Sequence, residues 1–192
     1  MKPSLATIRA ESPEGTAPLP GRARVGVGRR SRRVAARTVI GVKLYLVQHG
    51  QAKTEQDDPE RPLTARGVDD VERVARRAVG QLGVRPARVL HSGRTRARQT
   101  AEAWGGLLHV DVEQADARAP NDDPTIWVGR LVTENDDVML VGHLPHLARL
   151  TALLLIGAAD RPLIQFHQGG LVALERTDEG WLVQMVLPPE AA

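Results

Sequence analysis

No cysteine occurs among the 192 residues. Disulfides, thiolate nucleophiles and thiolate-held metals are therefore excluded, and an intracellular setting is the default expectation. Long apolar runs are missing too. The longest, LTALLLIGAA at 150–159, falls well short of the roughly 20 residues that a membrane-spanning helix needs. Nor does the start of the chain carry the apolar run of about 7–15 residues and the small-residue cleavage site of a secretory signal. These absences lead to the expectation of a cytoplasmic protein that does not engage a membrane.

Negative charge is nearly lacking from one part of the chain. Residues 1–41 hold nine Lys or Arg against Glu11 and Glu14, a net charge of +7, whereas the remainder holds 17 basic and 21 acidic residues, a net of −4. The overall charge of +3 hides this asymmetry. The basic segment is rich in Pro, Gly and Arg and has no sustained apolar periodicity, so it cannot bury enough surface to offset its ordering entropy. It is expected to be a disordered tail over 1–41, or an over-extended gene start, since valine at Val42 is what an internal GTG start codon would encode. Its GRRSRR run could bind nucleic acid or anionic lipid, although charge runs are more often simply solvated. Residues 42–192 are long enough for one well-buried domain.

From Val42 onward, strand-like and helix-like segments alternate. VKLYLV reads as a strand, and Thr64 as the cap of a helix running through about Val79. Along that helix Val68, Val71, Val74, Ala75, Ala78 and Leu82 form one apolar stripe. ARVLHS is a short strand, RARQTAEAWGGLL a helix, and HVDVEQ a weaker strand. DPTIWVGRLVTEN reads as a helix with Pro124 in its first turn. DDVMLVGH is a buried strand, followed by the helix HLARLTALLLI. GGLVALER and WLVQMVL flank TDEG as an antiparallel hairpin, with Gly169 and Gly170 as turn residues. Such alternation predicts an α/β protein, a three-layer α/β/α sandwich with a mostly parallel, mixed sheet.

In such sheets ligands bind beyond the carboxyl ends of the strands. Three strands here end on chemically capable residues: Gln48-His49, His91-Ser92 and Gly142-His143. Gly50 follows His49 and would let the backbone turn and offer N–H groups to a ligand. Arg94, Arg96 and Arg98 surround the start of the helix after the second strand. Two imidazoles, at least one guanidinium and backbone donors suit an anion, and a phosphoryl group above all. A neutral imidazole in line with phosphorus can attack it and form a phosphohistidine intermediate, while cations stabilise the charge on the equatorial oxygens.

The segments QHG at 48–50, S-G-x-x-R-A-x-Q-T at 92–100 and VGHLP at 141–145 together resemble the histidine phosphatase, or phosphoglycerate mutase-like, superfamily. RPLTARG at 61–67, APNDDP at 119–124 and the compact length are similar to its SixA-type phosphohistidine phosphatase branch. The resemblance covers roughly residues 43–187 and implies the histidine phosphatase fold. It casts His49 as nucleophile, His143 as the second histidine of the phosphate pocket and Arg96 as the arginine of the motif. Gln48, Gly50, Ser92, Arg61 and Asp122 are the expected substrate-binding residues. Most members carry arginine where this chain has Gln48. An amide can still donate to phosphate but brings no charge, and Arg61 or Arg94 could compensate. The general acid would lie in the 119–124 loop, at Asp122 or Asp123. Asp123 reads equally well as a helix cap, and His143 is another possible donor.

Bland readings attach to the other candidates. Arg94 and Arg98 read as solvated helix-face residues, and His91, His109 and His167 as structural or surface histidines. His146, three residues after His143, has a spacing compatible with shared metal ligation. Pro145 intervenes, however, and no carboxylate is suitably placed, so no metal and no cofactor are expected. The resemblance therefore implies a metal-independent phosphatase. Its expected partner is a phosphorylated protein, such as a histidine phosphotransfer domain of a phosphorelay. About 145 residues leave no room for insertions that roof a small-molecule pocket. A broad-specificity phosphomonoesterase acting on small phosphorylated substrates is one alternative. A non-catalytic phosphate- or phosphohistidine-binding module, suggested by Gln48, is the other.

Overall fold

Strand β1 (Lys43–Gln48) shows how the layers arise. Its side chains alternate between faces with the period of two that a pleated strand imposes. Leu44 and Leu46 join one apolar cluster, and Tyr45 and Val47 join another on the opposite face. The computed structural model describes residues 41–116 and 121–192. Apart from Gly41, the expected tail over 1–41 lies outside the described residues, as do Ala119 and Pro120 of the APNDDP loop.

The elements that follow are α1 (Ala65–Gln81), β2 (Arg88–His91), α2 (Thr95–Leu108), β3 (Val112–Gln114), α3 (Thr125–Val132), β4 (Val138–Gly142), α4 (His146–Ile156), β5 (Leu171–Thr177) and β6 (Gly180–Leu187). The six strands form one sheet in the order β3-β2-β4-β1-β5-β6. β3, β2, β4 and β1 run parallel, and β5 and β6 are antiparallel additions. On one face, Val71, Val74, Ala75 and Ala78 of α1 and Ala97, Ala101 and Trp104 of α2 pack on Tyr45, Val47, Met139 and Val141. On the other, Trp127 and Leu131 of α3 and Leu147 and Leu150 of α4 cover Leu44, Leu46, Val138 and Leu140. The result is the expected three-layer sandwich with a mixed sheet.

Register then brings the strand ends together. Gln48 pairs with Gly142 across β1 and β4, and His91 pairs with Val141 across β2 and β4. The three chemically capable ends thus stop at one level, side by side. No helix among the described residues is long and apolar enough to cross a membrane.

Several element boundaries differ from the sequence reading. Val68 of α1 and Leu82 just after it are 38% and 43% exposed, and Gly67 is buried. Thr64 caps this helix as expected, its side chain accepting from the Gly67 N–H at 3.0 Å. β3 is only three residues long because His109 adopts a left-handed conformation (φ 56°) at the end of α2 and turns the chain. α3 is eight residues long: Asp123 and Pro124 precede it, and Thr133 ends it.

Candidate active site

β1 delivers His49 one residue past its end, where the His49 N–H is held by the Gly142 carbonyl at 3.1 Å. The imidazole is buried, 8% exposed, beside His143 at 2% and Arg96 at 7%. His49 Nδ1 lies 2.8 Å from the Gly50 carbonyl oxygen. A carbonyl can only accept, so Nδ1 carries the proton and Nε2 keeps its lone pair. Arg96 Nε donates to that lone pair at 3.2 Å. The His143 ring stands 4.8 Å from the His49 ring, tilted by 57°, and its Nε2 lies 2.6 Å from Ser92 Oγ. His49, Ser92, Arg96 and His143 therefore share one site at the carboxyl ends of the strands, and Gln48 precedes His49 at the end of β1.

Burial sets the electrostatics. It lowers the pKa of His49 to about 4, against a smaller opposing effect of the Gly50 carbonyl and with further lowering by Arg96, Arg61 and Arg94. His143 is lowered to about 3, again chiefly by burial and then by His49 and Arg96. Both rings are neutral at neutral pH. The Arg96 guanidinium is also lowered, by burial and by Arg61 and Arg94. It remains a cation, because arginine starts so high. A neutral nitrogen lone pair held beside a buried cation is a site that can attack an electrophile carrying negative charge.

One face of α2 assembles this site. Residues at i, i+3 and i+4 of a helix neighbour one another, and Arg96, Gln99 and Thr100 stand in that relation. Gln99 Oε1 accepts from the Leu63 N–H at 2.8 Å and ties down the RPLTARG segment. Thr100 Oγ1 accepts from the Gly50 N–H at 3.1 Å and donates to the Arg96 carbonyl at 2.8 Å. The sequence reading singles out Arg96 but neither Gln99 nor Thr100, although the R-A-x-Q-T spacing already places all three on one face.

Gly50 serves in a different way from the one expected. Its N–H is taken by Thr100, so it offers no donor to a ligand. Glycine is required because α1 approaches closely: a Cβ here would stand 2.7 Å from the Gly67 carbonyl oxygen and 2.8 Å from Val71 Cγ2. Its carbonyl, in turn, orients His49.

The remaining candidates separate clearly. Arg61, Arg94 and Arg96 line one cleft of about 290 Å³ with Glu55, Pro59, Glu60, Gly93 and Thr95. Arg94 is exposed, as its spacing suggests, and also lines this cleft from the residue before α2. Arg98 matches the solvated reading, pairing with Glu102 at 3.4 Å. Arg61 has a left-handed backbone (φ 49°), which is uncommon for a residue other than glycine. The Gln48 side chain is 9% exposed and makes no hydrogen bond to another described residue.

Asp122 lies half-buried in the turn before α3. The Asp123 carboxylate accepts from the Thr125 N–H at 2.9 Å, which holds it below the usual range. It is ionised at neutral pH, and its carboxylate holds the turn that leads into α3. His91 Nδ1 accepts from the Gly93 N–H at 3.0 Å, a structural role. His109 turns the chain after α2, and His167 stands 3.6 Å from Glu190. Among the described residues, no group of three or more His, Cys, Asp or Glu is arranged to hold a metal ion.

The histidine phosphatase superfamily (branch 1) matches residues 44–117, which span β1 through the start of the loop after β3. No curated protein matches the chain. Among solved structures, the protein histidine phosphatase SixA in complex with tungstate is 26% identical with a TM-score of 0.67, covering 77% of this chain and 97% of that one. A candidate phosphohistidine phosphatase SixA from Agrobacterium tumefaciens is 27% identical with a TM-score of 0.64, covering 79% and 100%. Its counterpart from Nakamurella multipartitia, 24% identical with a TM-score of 0.62 over 79% and 98%, supports the fold alone. With the paired histidines and Arg96 in place on that fold, the chain is similar to the histidine phosphatase superfamily over residues 44–117 and to its SixA-type members in fold.

Proposed function

We propose that the protein removes the phosphoryl group from phosphohistidine on a protein substrate, through a transient phosphohistidine at His49. The observation that carries this reading is the fixed tautomer of His49, with Nδ1 on the Gly50 carbonyl and the Nε2 lone pair beside Arg96. A phosphoryl group entering the site displaces the imidazole as acceptor for Arg96 and exposes the lone pair. Nε2 then attacks phosphorus in line, and the bond from phosphorus to the substrate nitrogen breaks. A substrate imidazole protonated on its other nitrogen leaves as neutral imidazole, so this step needs no acid from the enzyme. The new imidazolium at His49 keeps its Nδ1–H on the Gly50 carbonyl, which favours the charged ring. Water attacks phosphorus next, the bond to His49 breaks, and dihydrogen phosphate and neutral His49 result. No step calls for a metal ion.

An ester substrate is less well served. Its leaving oxygen departs as an alkoxide unless an acid protonates it, and Asp123 is held ionised by Thr125. The cleft beside Arg96 is small and lies at the surface, which suits a side chain projecting from a histidine phosphotransfer domain. The neutral Gln48 favours a second reading, in which the site binds phosphate without turning it over. A turnover assay on a phosphohistidine protein, run beside a simple phosphomonoester, tests both. Faster hydrolysis of the phosphohistidine protein is expected, with at least a roughly thousandfold loss in His49→Ala. Equal rates for wild type and His49→Ala would refute the mechanism.

A further inference from the structure

We propose that Arg94 is a phosphate ligand of this site, binding the transferred phosphoryl group together with Arg96 and supplying positive charge that Gln48 does not. The inference rests on the phosphatase reading above and extends it to a residue that spacing alone assigns to solvent. Arg94 occupies the residue before α2, with extended backbone (φ −70°, ψ 141°) and no capping bond from its side chain. Its side chain therefore leaves from the end of the helix, two residues before Arg96, and lines the same cleft.

The other arginines near the site differ in what already holds them. Arg98 pairs with Glu102, and Arg61 donates through Nε to the Lys53 carbonyl at 3.3 Å. Arg94 makes no ion pair and no side-chain hydrogen bond to any described residue. Of the two carboxylates on the cleft, Glu60 is engaged by Thr95 Oγ1 at 3.0 Å. Three guanidiniums thus face one cleft in mutual repulsion. Buried Arg96 feels that repulsion from Arg61 and Arg94, and Arg94 also contributes to lowering His49 and His143 beside it. A phosphoryl dianion relieves this repulsion and is met by planar donors able to grip two oxygens.

Calorimetric titration of the full chain with orthophosphate tests the assignment without relying on turnover. Arg94→Ala is expected to weaken phosphate binding about tenfold, the difference that one partly exposed charged hydrogen bond makes, and to leave thermal melting unchanged. Its affinity should depend less steeply on salt than that of wild type. Arg94→Lys should restore much of the loss, and Arg98→Ala should match wild type. Equal affinity in wild type and Arg94→Ala overturns the assignment and leaves the phosphatase reading standing. A loss that lysine does not repair, with unchanged salt dependence, overturns it as well. Wild-type protein that binds no orthophosphate overturns both readings.

Discussion

His49 works only if it is neutral, and burial secures that across the physiological range. Because its pKa is lowered to about 4, kcat/KM is expected to be level on the acid side down to about pH 5 and to fall below it. An acid limb centred at the ordinary histidine value of about 6.5 would contradict the burial argument. The same shifts act on stability. His49 and His143 bind protons more readily when unfolded than when buried, so stability falls as pH drops from about 6.5 through about 4. Melting followed over that window should show the decline, and replacing His143 with glutamine should reduce it. Gln48 gives a third expectation. Gln48→Arg adds a charged donor beside the nucleophile and should speed phosphomonoester turnover about tenfold; an unchanged rate would mean that charge at this position is not limiting. At this scale the sequence was informative about His49 and His143, which follow strand ends, and about Arg96, which the R-A-x-Q-T segment marks in the first turn of α2. It was misleading about Gly50, whose N–H is taken by Thr100 fifty residues further along the chain.

At the scale of elements, α2 holds β1's terminus and the RPLTARG segment in one geometry. Thr100→Val should leave the Gly50 N–H buried without a partner, at about 1–3 kcal/mol of stability. It should also loosen the carbonyl that orients His49, so turnover should fall further than the melting shift alone explains. Denaturant unfolding and kcat measured on the same variant check this, and an unaltered kcat would remove α2 from the positioning role. Gly50→Ala should be more severe, since its Cβ meets helix backbone. The stripe of α1 shows where periodicity runs out. At about 100° per residue, Val68 lies about 70° from the centre of the buried face, while Gly67 lies about 30° from it. Glycine is required there because any Cβ would stand 2.1 Å from the Gln51 carbonyl oxygen. Leu82 has the right angle but follows the last helical turn. Apolar spacing found the face, and close backbone approach decided its end.

On the scale of the whole molecule, alternation of strands and helices was enough to anticipate the layers, and the final hairpin to anticipate a mixed sheet. Strand order was not legible, because it follows from which edges meet in space and not from any single segment. It is strand order and register that place His91-Ser92, Gly142-His143 and Gln48-His49 at one level. We propose that residues 42–192 form the working unit. A chain lacking residues 1–41 should melt and turn over as the full chain does; a large loss of either would give the basic segment a part in the site. The central claim is the covalent one, and rapid-quench trapping of the protein during turnover of a ³²P-labelled phosphohistidine substrate tests it most directly. Label that is acid-labile, base-stable, located on His49 and absent from His49→Ala is the expected result. Continued turnover with no label on His49 at any time would contradict the account.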